Sequence, residues 1–219
     1  MPENRFAYPI ILDLTDKPAL VVGGGEVALR KARDLADAGA HVHVVSPEFV
    51  AEFTTDGRFH LFLEPYEKRH LAGARVVVAA TNDEAVNARV AAEARAAGAL
   101  VNVVDRPELC DFIVPAQIRR GELLLAISTG GASPMFARRL RERLEKEFGP
   151  EYEVYLAVMR GIRQEILRRG LAEGLRRRVF ERLAEDDLLV AARQGPEALR
   201  RAMDAALAEV LKSAAPGRM

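Results

Sequence analysis

Three consecutive glycines, Gly23 to Gly25, follow a short apolar run and precede a segment with helical periodicity. With Ala28 they form the pattern G-x-G-x-x-A, which at a strand-to-helix turn is typical of dinucleotide binding. Gly23 would allow a tight turn, Gly25 would leave room for a diphosphate, and the free N–H groups of the helix start would face that diphosphate. The alternative is a tight turn that binds no ligand.

Dinucleotide sites of this kind have an acidic residue about 20 positions further on, which binds the adenosine ribose. Glu48 is the only acid near the end of the next apolar run, where the chain reads Val45-Ser46-Pro47-Glu48. An exposed acid at the start of a helix explains Glu48 equally well. No arginine follows this run closely enough to hold a 2′-phosphate, so the pattern favours NAD over NADP.

Polar residues also follow two later apolar runs: Thr81 and Asn82 follow one, and Asn102 and Asp105 close the other. Ligands of open α/β sheets bind outside the carboxyl ends of the strands, so we expect these side chains near cofactor and substrate. A carboxylate beside a nicotinamide can accept a proton as hydride leaves, and Asp105 is our candidate for this general base. A turn or cap acid ahead of Arg106-Pro107 is an equally good explanation.

Ser128, Thr129 and Gly130 belong to the segment STGGASP (128–134), in which hydroxyls and glycines precede a predicted helix. N–H groups there could hold substrate carboxylates, although an ordinary strand-to-helix connection is slightly favoured. Arginines that would suit a polyanion follow, but such runs are usually solvated faces; they are Arg138, Arg139, Arg141, Arg143 and Arg176 to Arg178. Without interleaved aromatic residues or a nucleic-acid motif, the sequence gives no support for DNA or RNA binding.

The elements that must position these residues alternate between strands and helices in the first hundred residues. Predicted strands lie at 18–22, 41–45, 74–80 and 99–104, with a weaker one at 60–63, and helices at 26–38 and 84–97. This alternation predicts an α/β protein with a Rossmann-like parallel sheet domain.

The pattern changes after Asp105. Segments 111–118 and 122–129 predict a hairpin across 119–121, followed by a helix capped at Ser133 and further helices at 151–169, 171–185 and 197–212. We therefore divide the chain into an NAD-binding domain (1–110), a small β-containing region (111–148) and a helical C-terminal region (149–219).

The composition excludes several classes of protein. The 219 residues carry 32 Lys and Arg against 32 Asp and Glu, and the single cysteine, Cys110, excludes an intrachain disulfide and any multi-cysteine metal site. The four histidines show no metal-ligand spacing, so we expect no bound metal. No run is long enough for a signal peptide or a membrane span, which predicts a cytoplasmic protein with no membrane partner.

An ordered set of phrases resembles the precorrin-2 dehydrogenase/sirohydrochlorin ferrochelatase family, which also forms the N-terminal part of siroheme synthases. The resemblance begins at Tyr8-Pro9 and Leu12. It continues through VVGGGEVALRKARDL (21–35), AATNDEAVNARV (79–90), VNVVD (101–105), DFIVPA (111–116) and STGGASP (128–134).

The resemblance implies NAD-dependent oxidation of precorrin-2 to sirohydrochlorin, for siroheme or cobalamin synthesis. It implies that Glu26 and Val27 contact NAD, that Pro47 and Glu48 lie near the adenosine ribose, and that Asp105 is catalytic. Ser128 or Thr129 would lie near the tetrapyrrole. It also implies a homodimer with intertwined central segments, which makes 111–148 a dimerisation region. Some family members insert ferrous iron, so iron is a candidate second substrate.

Two other classes of function remain open. A regulatory module could use the same glycine loop to sense NAD(H) without catalysis, and it would need neither Asp105 nor the 128–134 segment. A methyltransferase also has glycines after its first strand, but its cofactor has no diphosphate.

Overall fold

The computed structural model describes residue 6 and residues 8–214. The chain forms two compact units, the first ending at Val114 and the second beginning at Pro115. Our division into three regions stays a prediction.

The first unit is built on a five-stranded parallel sheet with the strand order β3-β2-β1-β4-β5. Its strands are β1 (Pro18–Val22), β2 (His41–Ser46), β3 (Phe59–Leu63), β4 (Val76–Ala79) and β5 (Leu100–Val103). The register places Val21 between Val44 of β2 and Val78 of β4. The strand order reverses beside β1, and this is the position at which doubly wound sheets bind ligands. The predicted Rossmann-like fold is confirmed.

Helices cover both faces of this sheet: α1 (Glu26–Asp37), α2 (Ala51–Thr55) and α3 (Glu84–Ala96), with 3₁₀ turns at Lys68–Leu71 and Pro107–Leu109. Successive strand residues therefore enter different cores. Leu20 and Val22 pack with the residues around α3, whereas Val21 packs with Leu29 of α1. Burial on both faces explains why these strands are continuous apolar runs instead of alternating ones.

The second unit begins with an antiparallel hairpin, β6 (Ala116–Arg120) and β7 (Leu123–Ile127), followed by five helices. The helices are α4 (Pro134–Glu147), α5 (Glu151–Arg168), α6 (Glu173–Leu183), α7 (Asp186–Ala192) and α8 (Pro196–Ala214). Their core contains Ile162, Ile166, Leu183, Leu199 and Met203. Among the described residues, no helix is long and apolar enough to cross a bilayer.

The hairpin was predicted with the wrong bounds. Arg119 and Arg120 belong to β6, and the chain turns at Gly121 and Glu122. Residues 111–115 do not pair with β7, because the Asp111 N–H donates to the Val101 carbonyl instead (2.8 Å).

The predicted helix at 171–185 is also wrong at its end. It stops at Leu183, and α7 is a separate helix that our sequence analysis did not anticipate. The signal was present in Asp186 and Asp187, because acidic side chains stabilise the first turn of a helix.

Candidate cofactor and catalytic site

The glycine loop lies where three strands end. The Gly23 N–H donates to the Val45 carbonyl of β2 (2.9 Å), and Gly23 has a φ of 129°, which side chains rarely tolerate. A Cβ at Gly23 would lie 2.5 Å from the Ala80 carbonyl oxygen that follows β4. Glycine is therefore required here both by the backbone conformation and by the close approach of the loop after β4.

Gly24 is a site residue that our sequence analysis missed. A Cβ at Gly24 would lie only 1.9 Å from the Glu48 carbonyl oxygen. The Gly24 carbonyl also accepts a hydrogen bond from the Val50 N–H (2.9 Å). The sequence signal was the third consecutive glycine, which the pattern G-x-G-x-x-A treats as a free position.

Gly25 is different, because a Cβ there would meet no atom within 4 Å. Gly25 is the N-cap of α1, and no side chain caps this helix start. The N–H groups of Glu26, Val27 and Ala28 precede the first intrahelical donor, Leu29. Open space in front of uncapped N–H groups fits a diphosphate, as the motif predicts.

The exposed side chains of Pro47 and Glu48 lie directly after β2. The helix α2 starts only at Ala51 with Val50 as its N-cap, so interpreting Glu48 as a helix-start acid is wrong. The Glu48 carbonyl lies against Gly24, so the backbone of Glu48 borders the glycine loop, as expected for a ribose-binding acid.

The loop after β4 is held rigidly by side chains. The Asn87 amide donates to the Thr81 carbonyl (2.9 Å), and its oxygen accepts from the Thr81 N–H (3.2 Å) and hydroxyl (2.9 Å). Asp83 caps α3 by accepting from the N–H groups of Ala85 and Val86. Asn82 is exposed between these fixed points. Thr81 and Asn82 therefore lie at the predicted edge of the sheet, beside the glycine loop.

Asp105 occupies a turn just beyond β5. The Arg106 N–H donates to the Val103 carbonyl (3.3 Å), so Val104 and Asp105 are the central residues of that turn. Asp105 has a φ of 58°, in the left-handed region that non-glycine residues rarely adopt.

The Asp105 carboxylate is exposed, and no described residue hydrogen-bonds or ion-pairs with it. The following 3₁₀ turn has Arg106 as its N-cap, so Asp105 caps nothing. Arg106 forms an ion pair with Glu84 (2.9 Å), which connects the Asp105 turn to the start of α3. The side chain is thus left available for chemistry, and its catalytic role remains a proposal.

Asn102 is placed differently from the other predicted site residues. It is only 8% exposed, and its amide donates to the Phe112 carbonyl (3.0 Å). Its described side-chain hydrogen bonds are with the chain that returns after Asp105. Its assignment as a substrate-binding residue stays a prediction.

Ser128, Thr129 and Gly130 lie in the second unit, between β7 and α4. Their hydroxyls organise the loop: Ser128 accepts from the Gly130 N–H (3.1 Å), and Thr129 accepts from the Ser133 N–H (3.1 Å). Ser133 in turn caps α4 by accepting from the Phe136 N–H. These bonds suit an ordinary strand-to-helix connection, and contact with substrate remains a proposal.

Within the described residues, no group of three or more His, Cys, Asp or Glu side chains could hold a metal ion. His70 is buried and bonds to Glu64 and to the Glu67 N–H, which makes it a structural residue. His43 is partly buried against His60, and burial lowers the pKa of its imidazole.

At the carboxyl edge of the sheet, the structure thus brings together the glycine loop, Glu48, the Thr81–Asn82 loop and Asp105.

The fold and this edge define a nucleotide-binding protein of the Rossmann class, and comparison with known families agrees. Residues 10–116 match the family of NAD(P)-binding domains, which confirms the predicted nicotinamide dinucleotide cofactor. Residues 120–147 match the central region of sirohaem biosynthesis proteins.

Curated relatives and a solved structure narrow this class. The chain is 45% identical to the siroheme synthase of Methylobacillus flagellatus over 78% of its length, and 44% identical to that of Methylococcus capsulatus over 85%. It spans 37% and 40% of the length of these relatives. A solved structure of SirC, a precorrin-2 dehydrogenase, matches with a TM-score of 0.72 at 28% identity, covering 94% of this chain and 99% of that one.

The chain is thus similar to the precorrin-2 dehydrogenase/sirohydrochlorin ferrochelatase family, through a precorrin-2 dehydrogenase structure and through part of the length of siroheme synthases. The resemblance drawn from the short sequence phrases is thereby confirmed.

Proposed function

We propose that this protein oxidises precorrin-2 to sirohydrochlorin with NAD+ as the hydride acceptor. The observation that carries this proposal is the match to a precorrin-2 dehydrogenase over nearly the whole of both chains. The NAD(P)-binding match of the first unit and the exposed carboxylate at the end of β5 support it.

The residues of the glycine loop would hold the cofactor. The uncapped N–H groups of Glu26 and Val27 would bind the diphosphate in the space that Gly25 leaves open. Glu48 would accept hydrogen bonds from the adenosine ribose, with Pro47 beside it. Thr81 and Asn82 would border the cofactor from the loop after β4.

The reaction removes a hydride and a proton from the reduced macrocycle. When bound, NAD+ accepts the hydride, giving NADH. Asp105 would accept the proton as the hydride leaves and release it to solvent, giving sirohydrochlorin, NADH and H+. The Asp105 carboxylate is exposed and has no hydrogen-bond or ion-pair partner among the described residues, so it is sterically free to do this.

The substrate is a polycarboxylate, and the second unit has the matching charge. Residues from Pro115 onward include 20 Lys and Arg against 15 Asp and Glu. Arg139 and Arg143 are exposed on α4 and have no ion-pair partner among the described residues. They would pair with substrate carboxylates, and the N–H groups around Ser128, Thr129 and Gly130 would bind a further one.

The location of the enzyme would be the cytoplasm.

We further propose a homodimer formed through the second unit. The β6–β7 hairpin pairs with no other strand in the described part of the chain, and an isolated two-stranded sheet is marginally stable. The adjoining helix α4 buries only Ala137 fully, and it leaves Met135 61% and Phe136 59% exposed. A second copy would cover both the free strand edges and these apolar side chains.

The test is anaerobic turnover of enzymatically generated precorrin-2, followed by NADH formation and by the sirohydrochlorin spectrum, with and without ferrous iron. Asp105→Asn should lower kcat by about 10² or more, because general-base catalysis contributes on that scale. The affinity for NAD+ should not change, since Asp105 lies outside the glycine loop. A siroheme spectrum that forms only with iron would assign iron insertion as a second activity.

Asp16→Asn is the matched control, because Asp16 is also exposed and also has a left-handed backbone, with a φ of 56°. It precedes β1 and therefore lies at the opposite edge of the sheet. Turnover that persists in Asp105→Asn would remove the proposed base. A folded wild-type protein that binds NAD+ but turns nothing over would favour the NAD(H)-sensing module.

A further inference from the structure

The thiol of Cys110 is buried inside the turn that carries Asp105. The side chain is 2% exposed. Its sulfur lies 3.1 Å from the Val103 nitrogen, 3.2 Å from the Val103 carbonyl oxygen and 3.4 Å from the Arg106 carbonyl oxygen. The sulfur thus contacts the backbone both two residues before Asp105 and one residue after it.

These contacts follow from the position of β5 at the edge of the sheet. On its inner side, the N–H groups of Leu100 and Val104 donate to the carbonyls of Arg75 and Ala79. The intervening N–H groups of Val101 and Val103 point outward, where no strand in the described part of the chain pairs with them.

The chain returning after Asp105 supplies the acceptors for both outward N–H groups. The Val101 N–H donates to the Asp111 carboxylate (3.1 Å), and the Val103 N–H donates to the Cys110 sulfur. Arg95 holds this returning segment in place through the Asp111 carboxylate (2.8 Å) and the Leu109 carbonyl (2.6 Å). The loop from Val104 to Leu109 is thereby closed at its base.

The backbone conformation of Asp105 requires a loop whose two ends are held together in this way. A residue with a Cβ in the left-handed region costs free energy relative to glycine, and such a conformation persists only where its surroundings enforce it. A glycine would adopt this turn more easily, but it would place no carboxylate there.

We propose that Cys110 is a positioning residue for the reaction, whose thiol locks the turn that presents the Asp105 carboxylate. This inference rests on the proposed function for its catalytic consequence. As an acceptor for the Val103 N–H and a donor to a carbonyl of the turn, the thiol fixes both sides of Asp105.

The first measurement is amide hydrogen exchange, which does not require the protein to be enzymatically active. In Cys110→Ala, the amide protons of Val103 and Arg106 should exchange with solvent at least about tenfold faster than in wild type. The Val103 N–H loses its acceptor, and the Arg106 N–H belongs to the hydrogen bond that closes the turn. Val90→Ala is the control: Val90 is a buried α3 residue of the same core, and its truncation removes no hydrogen bond of the turn. Unchanged protection at Val103 and Arg106 in Cys110→Ala would overturn the proposal.

The second measurement separates positioning from general stability. Cys110→Ala should lower kcat about tenfold, since a misplaced catalytic group costs rate, while the NAD+ affinity stays within about twofold of wild type. Cys110→Ser, which keeps a donor and an acceptor, should restore most of the rate. In an Asp105→Asn background, Cys110→Ala should cause no further loss.

An equal loss in the Asp105→Asn background would show that Cys110 does not act through Asp105 and would overturn the proposal. If Cys110→Ala does not fold, Cys110→Ser gives the same comparison. Its smaller loss of kcat should appear in the protein that keeps Asp105 and should be absent in the Asp105→Asn protein. A wild-type protein without turnover would remove the proposed function alone, because the exchange measurement still decides whether Cys110 locks the turn.

Discussion

Neighbouring glycines in the cofactor loop are required for different reasons. At Gly24 a Cβ would collide with the Glu48 backbone, whereas at Gly25 it would project into open space at the start of α1. The first glycine therefore serves the fold of the loop, and the second serves the ligand.

The pair Gly24→Ala and Gly25→Ala tests this distinction. Gly25→Ala should keep its melting temperature close to that of wild type, because its φ of −88° suits alanine. Its NAD+ affinity should fall about tenfold or more, since displacing a diphosphate loses charged hydrogen bonds of roughly 1.5–3 kcal/mol. Gly24→Ala should lower the melting temperature itself. Thermal unfolding and NAD+ titration of both variants check this, and a Gly25→Ala protein with normal NAD+ affinity would contradict the ligand role.

At the scale of elements, two glycines of the second unit illustrate opposite uses of this residue. Gly161 lies inside α5, where a Cβ would meet no atom within 4 Å. Gly121 lies in the β6–β7 turn with a φ of 55°, and a Cβ there would lie 2.8 Å from Cγ of Glu153. The helix tolerates its glycine, whereas the turn requires one.

Gly161→Ala should therefore stabilise the protein by about 1 kcal/mol, which is the difference in helix propensity between the two residues. Gly121→Ala should destabilise it, because the substitution combines a left-handed backbone with a steric overlap. Urea unfolding followed by circular dichroism measures both changes. A destabilised Gly161→Ala would mean that something fills the space above α5.

The charge of the whole molecule is divided between its units. The total charge is zero, but residues 1–114 have 12 basic against 17 acidic side chains, and the remainder has 20 against 15. This division suits a second unit that binds a polycarboxylate. If the second units of two chains pair, their like charges repel each other, and the contacts of the interface must outweigh that repulsion.

The proposed homodimer gives a prediction at this scale. Phe136→Glu should shift the mass measured by light scattering from twice the chain mass to once, because it buries a charge in the proposed interface. Glutamate in the first turn of α4 is favourable for the helix, so the monomer should stay folded. Val190→Glu on α7 is the control, since Val190 is similarly exposed at 56%. A dimer that survives Phe136→Glu would place the interface elsewhere.

The sequence alone determined the class of fold and much of the candidate site. Buried parallel strands need continuous β-branched runs, and a diphosphate loop needs glycines directly after the first of them, so local patterns predicted β1, α1 and the loop. The family resemblance rested on short phrases of the same kind, including the one that ends at Asp105.

Only the tertiary structure decided how those residues are held. Gly24 is required by the backbone of Glu48, and chain folding, not local spacing, brings these two residues together. The sulfur of Cys110 contacts the Asp105 turn within a short stretch of sequence, but no local pattern indicated that contact. The hairpin bounds were mispredicted for the same reason, because residues 111 and 112 bond to the edge of β5 instead of extending β6. Local propensity carries no information about which distant strand edge a segment will satisfy.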